Sequence, residues 1–199
     1  MFNKYCDEIE KLNSFTKEDI LNKKFVLFND TTMKIYYAPH NEVINENAKI
    51  FIVGIAPGWT QTAIAYKTAH EGLVKKLGYE EIQKECKKNL RFAGSMWKNL
   101  VEMLDELNLN KKLSIDSCSE LFGNKDELLH TTSVIPYPVF IKNRNYTGFG
   151  PKLLDNEILK SYLEKYFYKE VERLPNAFII PLGKAVEEIL QLMISKKKW

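Results

Sequence analysis

At 199 residues, with 45% hydrophobic and 28% charged, the chain carries enough apolar material for one core and too much for a disordered segment. Against 26 Asp+Glu it has 29 Lys+Arg, a net charge of +3 that permits a polyanionic partner without requiring one. Cys6, Cys86 and Cys118 lie far apart and form no CxxC pair, which argues against a zinc or iron–sulfur site and suits a reducing cytoplasm.

The opening residues carry acids and no apolar core of a signal peptide, and no apolar run approaches the ~18 residues of a membrane span. One domain covering residues 1–199 is expected, located in the cytoplasm. Tyr5, Ile9 and Leu12 share a helical face. Phe25–Phe28 and Met33–Tyr37 read as short strands around the polar turn Asn29–Thr32. Ile50–Val53 is wholly apolar, as a central parallel strand is.

Helical spacing follows over Thr62–Lys76 and Tyr79–Leu107, with a break at Phe92–Gly94. Leu128–Ile135 reads as a second strand and Phe140–Pro151 as a loop rich in Asn, Gly and base. A helix over Ile158–Val171, a third apolar strand over Ala177–Pro181 and a helix over Gly183–Met193 complete the chain. Three apolar strands, each followed by a loop and a helix, predict a parallel sheet covered on both faces. Ligands of such sheets bind outside the carboxyl ends of the strands.

Three loops therefore draw attention, after Val53, after Val134 and after Ile180, together with the stretches around Phe92 and Lys142. In Gly54-Ile-Ala-Pro-Gly58, proline stiffens the chain and the two glycines let a flat ligand approach the backbone. Trp59 adds a flat surface, although the same residues also read as a tight turn with Trp59 in the core. The stretch is neither a P-loop nor a dinucleotide fingerprint. Phe92, beside Gly94 at a helix start, reads as a stacking ring or as plain core. His130, Thr131, Thr132 and Ser133 end the second strand as polar groups at a pocket floor. No G-x-S-x-G elbow supports a Ser/His nucleophile pair there. Lys142, Arg144 and Tyr146 fit phosphate contact and base stacking. Lys184, opening the last helix, fits phosphate contact too. For each of these charges the alternative is a solvated surface.

Taken in order, GIAPGWTQ, RFAGSMW, HTTSVIPYPVF with NYTGFGP, and AFIIPLGK resemble the motifs of the uracil-DNA glycosylase superfamily, in particular bacterial branches with a Gly-x-Ala-Pro-Gly first motif. Tyr36-Tyr-Ala-Pro39 fits as well, and the resemblance spans about residues 33 to 195. It implies an α/β fold: a three-layer α/β/α sandwich around a short, mostly parallel sheet. It also implies an enzyme that flips a nucleotide from DNA and hydrolyses the N-glycosidic bond of uracil or a related base, with no metal and no cofactor. By the same resemblance Gly54, Ile55, Ala56, Pro57, Gly58 and Trp59 form the base slot, Phe92 stacks on the base, and Ser133 meets its polar edge. Lys142, Arg144 and Lys184 line the path of the DNA backbone.

Two departures qualify the resemblance. Where active branches place Asp, Asn or Glu in the first motif, this chain has Ile55 and Ala56. A carboxylate beside a developing cationic sugar is worth about 3 kcal/mol or more. Gln61 remains as a candidate to position water, but glutamine is no base. The family's closing His-Pro-Ser motif also has no counterpart, and none of His40, His70 and His130 stands in an equivalent place. The expectation is a domain incomplete at its C-terminus, whose third strand leaves an open sheet edge and self-associates. A catalytically inactive module that binds a base or nucleic acid is the alternative. A small-molecule enzyme that holds a phosphate in the Gly-Pro-Gly loop is a third reading.

Overall fold

The computed structural model describes residues 1–90 and 95–195. Helices α1 (Cys6–Glu10) and α2 (Lys17–Ile20) lead into strands β1 (Val26–Asn29) and β2 (Met33–Tyr36). Then follow β3 (Ile50–Gly54), α3 (Trp59–Val74), α4 (Tyr79–Leu90), α5 (Ser95–Glu106) and α6 (Leu109–Leu113). Next come β4 (Leu129–Ser133), β5 (Val139–Ile141) and β6 (Arg144–Asn145). The chain continues through α7 (Glu157–Tyr162), α8 (Tyr168–Glu172), β7 (Phe178–Pro181) and α9 (Lys184–Ser195). A π-helical turn, Leu163–Phe167, joins α7 to α8, so the helix expected over 158–171 is continuous with a local widening.

The strands form two sheets. The first is three-stranded and parallel, in the order β4-β3-β7. Its register is Phe51 opposite His130 on one side and opposite Ile179 on the other. This is the parallel sheet the three apolar runs predict. The second is a four-stranded antiparallel sheet, β1-β2-β5-β6.

The reading of 140–151 as a loop needs correction at its start. Ile141 pairs with Arg144 across a two-residue turn in which Lys142 and Asn143 both have positive φ, 47° and 62°. That is the backbone of a tight hairpin turn whose twist matches its strands. Asparagine tolerates this conformation, but lysine gives no such signal, which is why the hairpin is not legible in sequence.

Side-chain alternation in β3 explains the layers. Phe51 and Val53 enter the larger core cluster with Phe167 and Ile189, whereas Ile50 and Ile52 meet Leu100, Val101, Leu104 and Cys118 on the other face. Helical residues therefore cover both faces of the parallel sheet. The break expected at Phe92–Gly94 lies outside the described residues.

Candidate functional site

The first loop leaves β3 with its carbonyls in use. Gly54 O accepts from Val134 N at 2.9 Å and Ile55 O from Ile135 N at 3.0 Å. Gly58 is extended, φ −84° and ψ 172°, and starts α3. Its amide donates to Gln61 Oε1 at 3.2 Å, and its carbonyl accepts from Thr62 Oγ1 at 2.9 Å. Proline and these bonds hold the main chain still.

Beyond the ends of β3 and β4 the chain encloses a cleft of about 290 Å³. That volume lies at the small end of the range for ligand sites. Gly54, Ala56, Gly58, Gln61, Thr131 and Ser133 line it. The predicted loops after β3 and β4 thus meet in one place. Among the described residues no close contact requires glycine at either position. A Cβ on Gly54 would come no closer than 3.6 Å to a neighbour, and one on Gly58 no closer than 3.5 Å, both ordinary contacts. Neither has a positive φ.

Other expected residues lie elsewhere. Ile55 turns away and lies against Gly148. Pro57 is buried, and Trp59 is half-buried with its ring under the Lys17 ammonium at 5.7 Å. None of the three lines the cleft. Phe92 falls outside the described residues. Gln61 lines the cleft, but its carbonyl oxygen is engaged by the Gly58 amide, so the amide nitrogen is the part left to meet a ligand or water.

Lys142 and Arg144 are exposed and border a separate depression of about 550 Å³ with Thr147 and Phe149. Tyr146 cannot stack on a base: it is 4% exposed and donates to Pro151 O. Asn145, which lines this second depression, accepts from Trp59 N at 3.2 Å through its Oδ1. The basic hairpin is thereby pinned beside the glycine loop. Lys184 is exposed at the start of α9 and borders neither depression.

Sequence reading missed three polar side chains that line the cleft: His40, Asn41 and Lys87. His40 and Asn41 sit on the 3-10 turn Pro39–Asn41, directly after the Tyr-Ala-Pro stretch, and this adjacency was the available signal. Burial, reinforced by Lys87, holds the His40 imidazole down to about 3, so it is neutral. Lys87 is buried in α4, and its Nζ donates to Val43 O at 2.6 Å. Nothing in a helix written Lys-Glu-Cys-Lys-Lys marks one lysine as internal.

His130 lies in the wall behind the cleft rather than at its floor. It is fully buried against Phe51 and pairs through Nε2 with Glu170 Oε1 at 2.5 Å. Glu170 Oε2 accepts from Thr132 Oγ1 at 3.1 Å. Asn45 N donates to His130 Nδ1 at 3.3 Å, which places the ring proton on Nε2 and makes the glutamate its acceptor. Among the described residues no carboxylate lines the cleft.

Fold and site together define an α/β protein with a small, largely uncharged cleft at the carboxyl ends of its parallel strands. The chain is 42% identical over 183 residues to the uncharacterized protein YoxB of Bacillus subtilis strain 168, a match covering 92% of this chain and 72% of that protein. The chain belongs to the same family as YoxB. No family model matches it, and no solved structure matches it. Among the described residues no helix is long and apolar enough to cross a membrane.

Proposed function

We propose that the chain is a uracil-DNA glycosylase-like protein whose cleft receives a base flipped out of DNA and hydrolyses its bond to the sugar. On this reading the parallel sheet with its two helical layers is the family's three-layer sandwich. One observation carries the proposal. The cleft is lined by glycine backbone where an added Cβ would meet no described residue closer than 3.5 Å, between polar strand ends and beside a basic hairpin. A planar heterocycle needs this kind of close, uncharged approach, while Lys142 and Arg144 suit the phosphates next to it. On this reading Ser133 meets its polar edge, Gln61 positions water, and the partner is uracil-containing or otherwise modified DNA.

A second reading is favoured by a specific observation. With no carboxylate lining the cleft among the described residues, the developing cationic sugar lacks its usual stabiliser. The same cleft then serves as a non-catalytic base-binding module.

The test uses single-stranded and duplex oligonucleotides containing uracil, with free base measured by mass spectrometry and binding by fluorescence anisotropy across salt. The expected result is base release that Gly54→Ala lowers, because a Cβ there meets only ordinary contacts at 3.6 Å and 3.8 Å and occupies the slot. Replacing Lys142 and Arg144 by Gln should lower the salt slope of binding by about 2. Binding without release selects the second reading. Absence of both overturns the proposal.

A further inference from the structure

Phe149 is 51% exposed, yet the turn that carries it is tightly held. Tyr146 Oη donates to Pro151 O at 2.8 Å across the turn. Gly148, with φ 94°, fits so closely that an added Cβ would stand 2.5 Å from Ala185 Cβ on α9 and 3.3 Å from Ile55 Cγ1 of the glycine loop. The chain on either side of the ring is therefore fixed. Lys142, Arg144, Asn145 and Thr147 line the same depression of about 550 Å³, and among the described residues no acid does. Neither cation has an ion-pair partner among the described residues. A lone apolar side chain at a surface needs no explanation, but a ring beside two unpartnered cations has the composition of a surface that stacks bases and tracks phosphates. Its position matters as well. Gly58 lines the cleft and Asn145 lines this depression, and a Cβ on Gly58 would lie 3.5 Å from Asn145 Nδ2. The two hollows are neighbours across that contact.

We propose that Phe149 is a stacking platform for the unpaired base next to the one in the cleft, with Lys142 and Arg144 on the phosphates of that strand. The ligand class is single-stranded DNA, because a base paired and stacked inside a duplex has no free face for the ring. The contact tolerates any sequence, since every base offers a π face. Tyr146, the aromatic that the sequence singles out in this loop, is buried, and Phe149 takes that part instead. This rests on reading the cleft as a base slot. It adds a second contact outside the slot, on a turn that neither the glycine loop nor the strand ends supply.

Fluorescence anisotropy of the full chain tests it with three labelled single strands of equal length and charge. The first is abasic throughout. The second carries one 2′-fluoro-deoxyuridine, whose bond to the sugar resists hydrolysis. The third adds a thymine on each side of that nucleotide. The step from first to second strand reads the cleft, and the step from second to third reads the platform. The third strand should bind about fivefold or more tighter than the second. Phe149→Ala should reduce that step to less than about twofold and leave the first step unchanged, whereas Phe149→Trp keeps both. No gain from the flanking thymines in the wild-type chain overturns the platform and leaves the base slot standing, and that comparison needs no variant to fold. A gain that Phe149→Ala leaves untouched overturns the platform too. No gain at either step overturns the base slot and the platform together.

Discussion

Single side chains carry the clearest electrostatic consequences. His40 is neutral when folded, with an imidazole held down to about 3 against an ordinary value of 6.5. Between those values the unfolded chain takes up a proton that the folded chain refuses. Stability therefore falls as pH drops below 6.5, by about tenfold in the folding constant per pH unit, until pH nears 3. Urea unfolding at several pH values should show a shallower fall for His40→Gln, and an unchanged slope would contradict the burial of a neutral ring. Carboxylates join only lower down. Asp30, held below its ordinary 3.8 by the amides of Thr32 and Met33, stabilises the fold above that value and loses its contribution as pH falls through the lowered one. The cysteines behave oppositely to catalytic thiols. Burial first, then the bond to Asp105, pushes Cys118 up to about 12; burial does the same for Cys86. All three cysteines are free and buried. A thiol reagent such as DTNB should leave the native protein unmodified over minutes and titrate all three after denaturation.

Between elements, α3 and α4 approach closely at Gly72. A Cβ on Gly72 would stand 2.7 Å from Ile82 Cγ1, with the other Ile82 carbons at 3.3 Å. Gly72→Ala should cost about 1–3 kcal/mol in denaturant unfolding, against the small gain alanine brings elsewhere in a helix. The hairpin β5–β6 works by another device. Two positive-φ residues turn the chain so that Asn145 reaches the Trp59 amide. Neither contact was legible in the sequence, because Gly72 looks like any helical glycine and Lys142 like any surface lysine. The strands β3 and β7 were legible as short apolar runs ending in Gly and Pro, and β4 as a run rich in β-branched residues bounded by apolar ones.

For the whole molecule, the parallel sheet ends openly at β7. Among the described residues β7 pairs only with β3, and Phe178 is 65% exposed. Beside it runs an apolar groove of about 350 Å³ between β7 and the α5–α6 helices, lined by Leu104, Leu107 and Leu109. An unpaired edge next to apolar surface is a template for another strand. Under the proposed self-association, sedimentation velocity should show concentration-dependent dimers that Phe178→Lys abolishes; a monomer at every concentration would remove the idea.

By itself the sequence determined the α/β class, the three parallel strands and the convergence of Gly54, Ala56, Gly58 and Ser133, because strand period and loop chemistry are local properties. Only the tertiary structure decided that His40 and Lys87 complete the cleft, that Ile55 and Trp59 turn out of it, and that His130 serves Glu170 in the wall behind. Those outcomes depend on which helix packs against which sheet face. Residues 40, 87, 130 and 170 are distant along the chain, and burial, which makes their polar atoms consequential, exists only once the layers have closed.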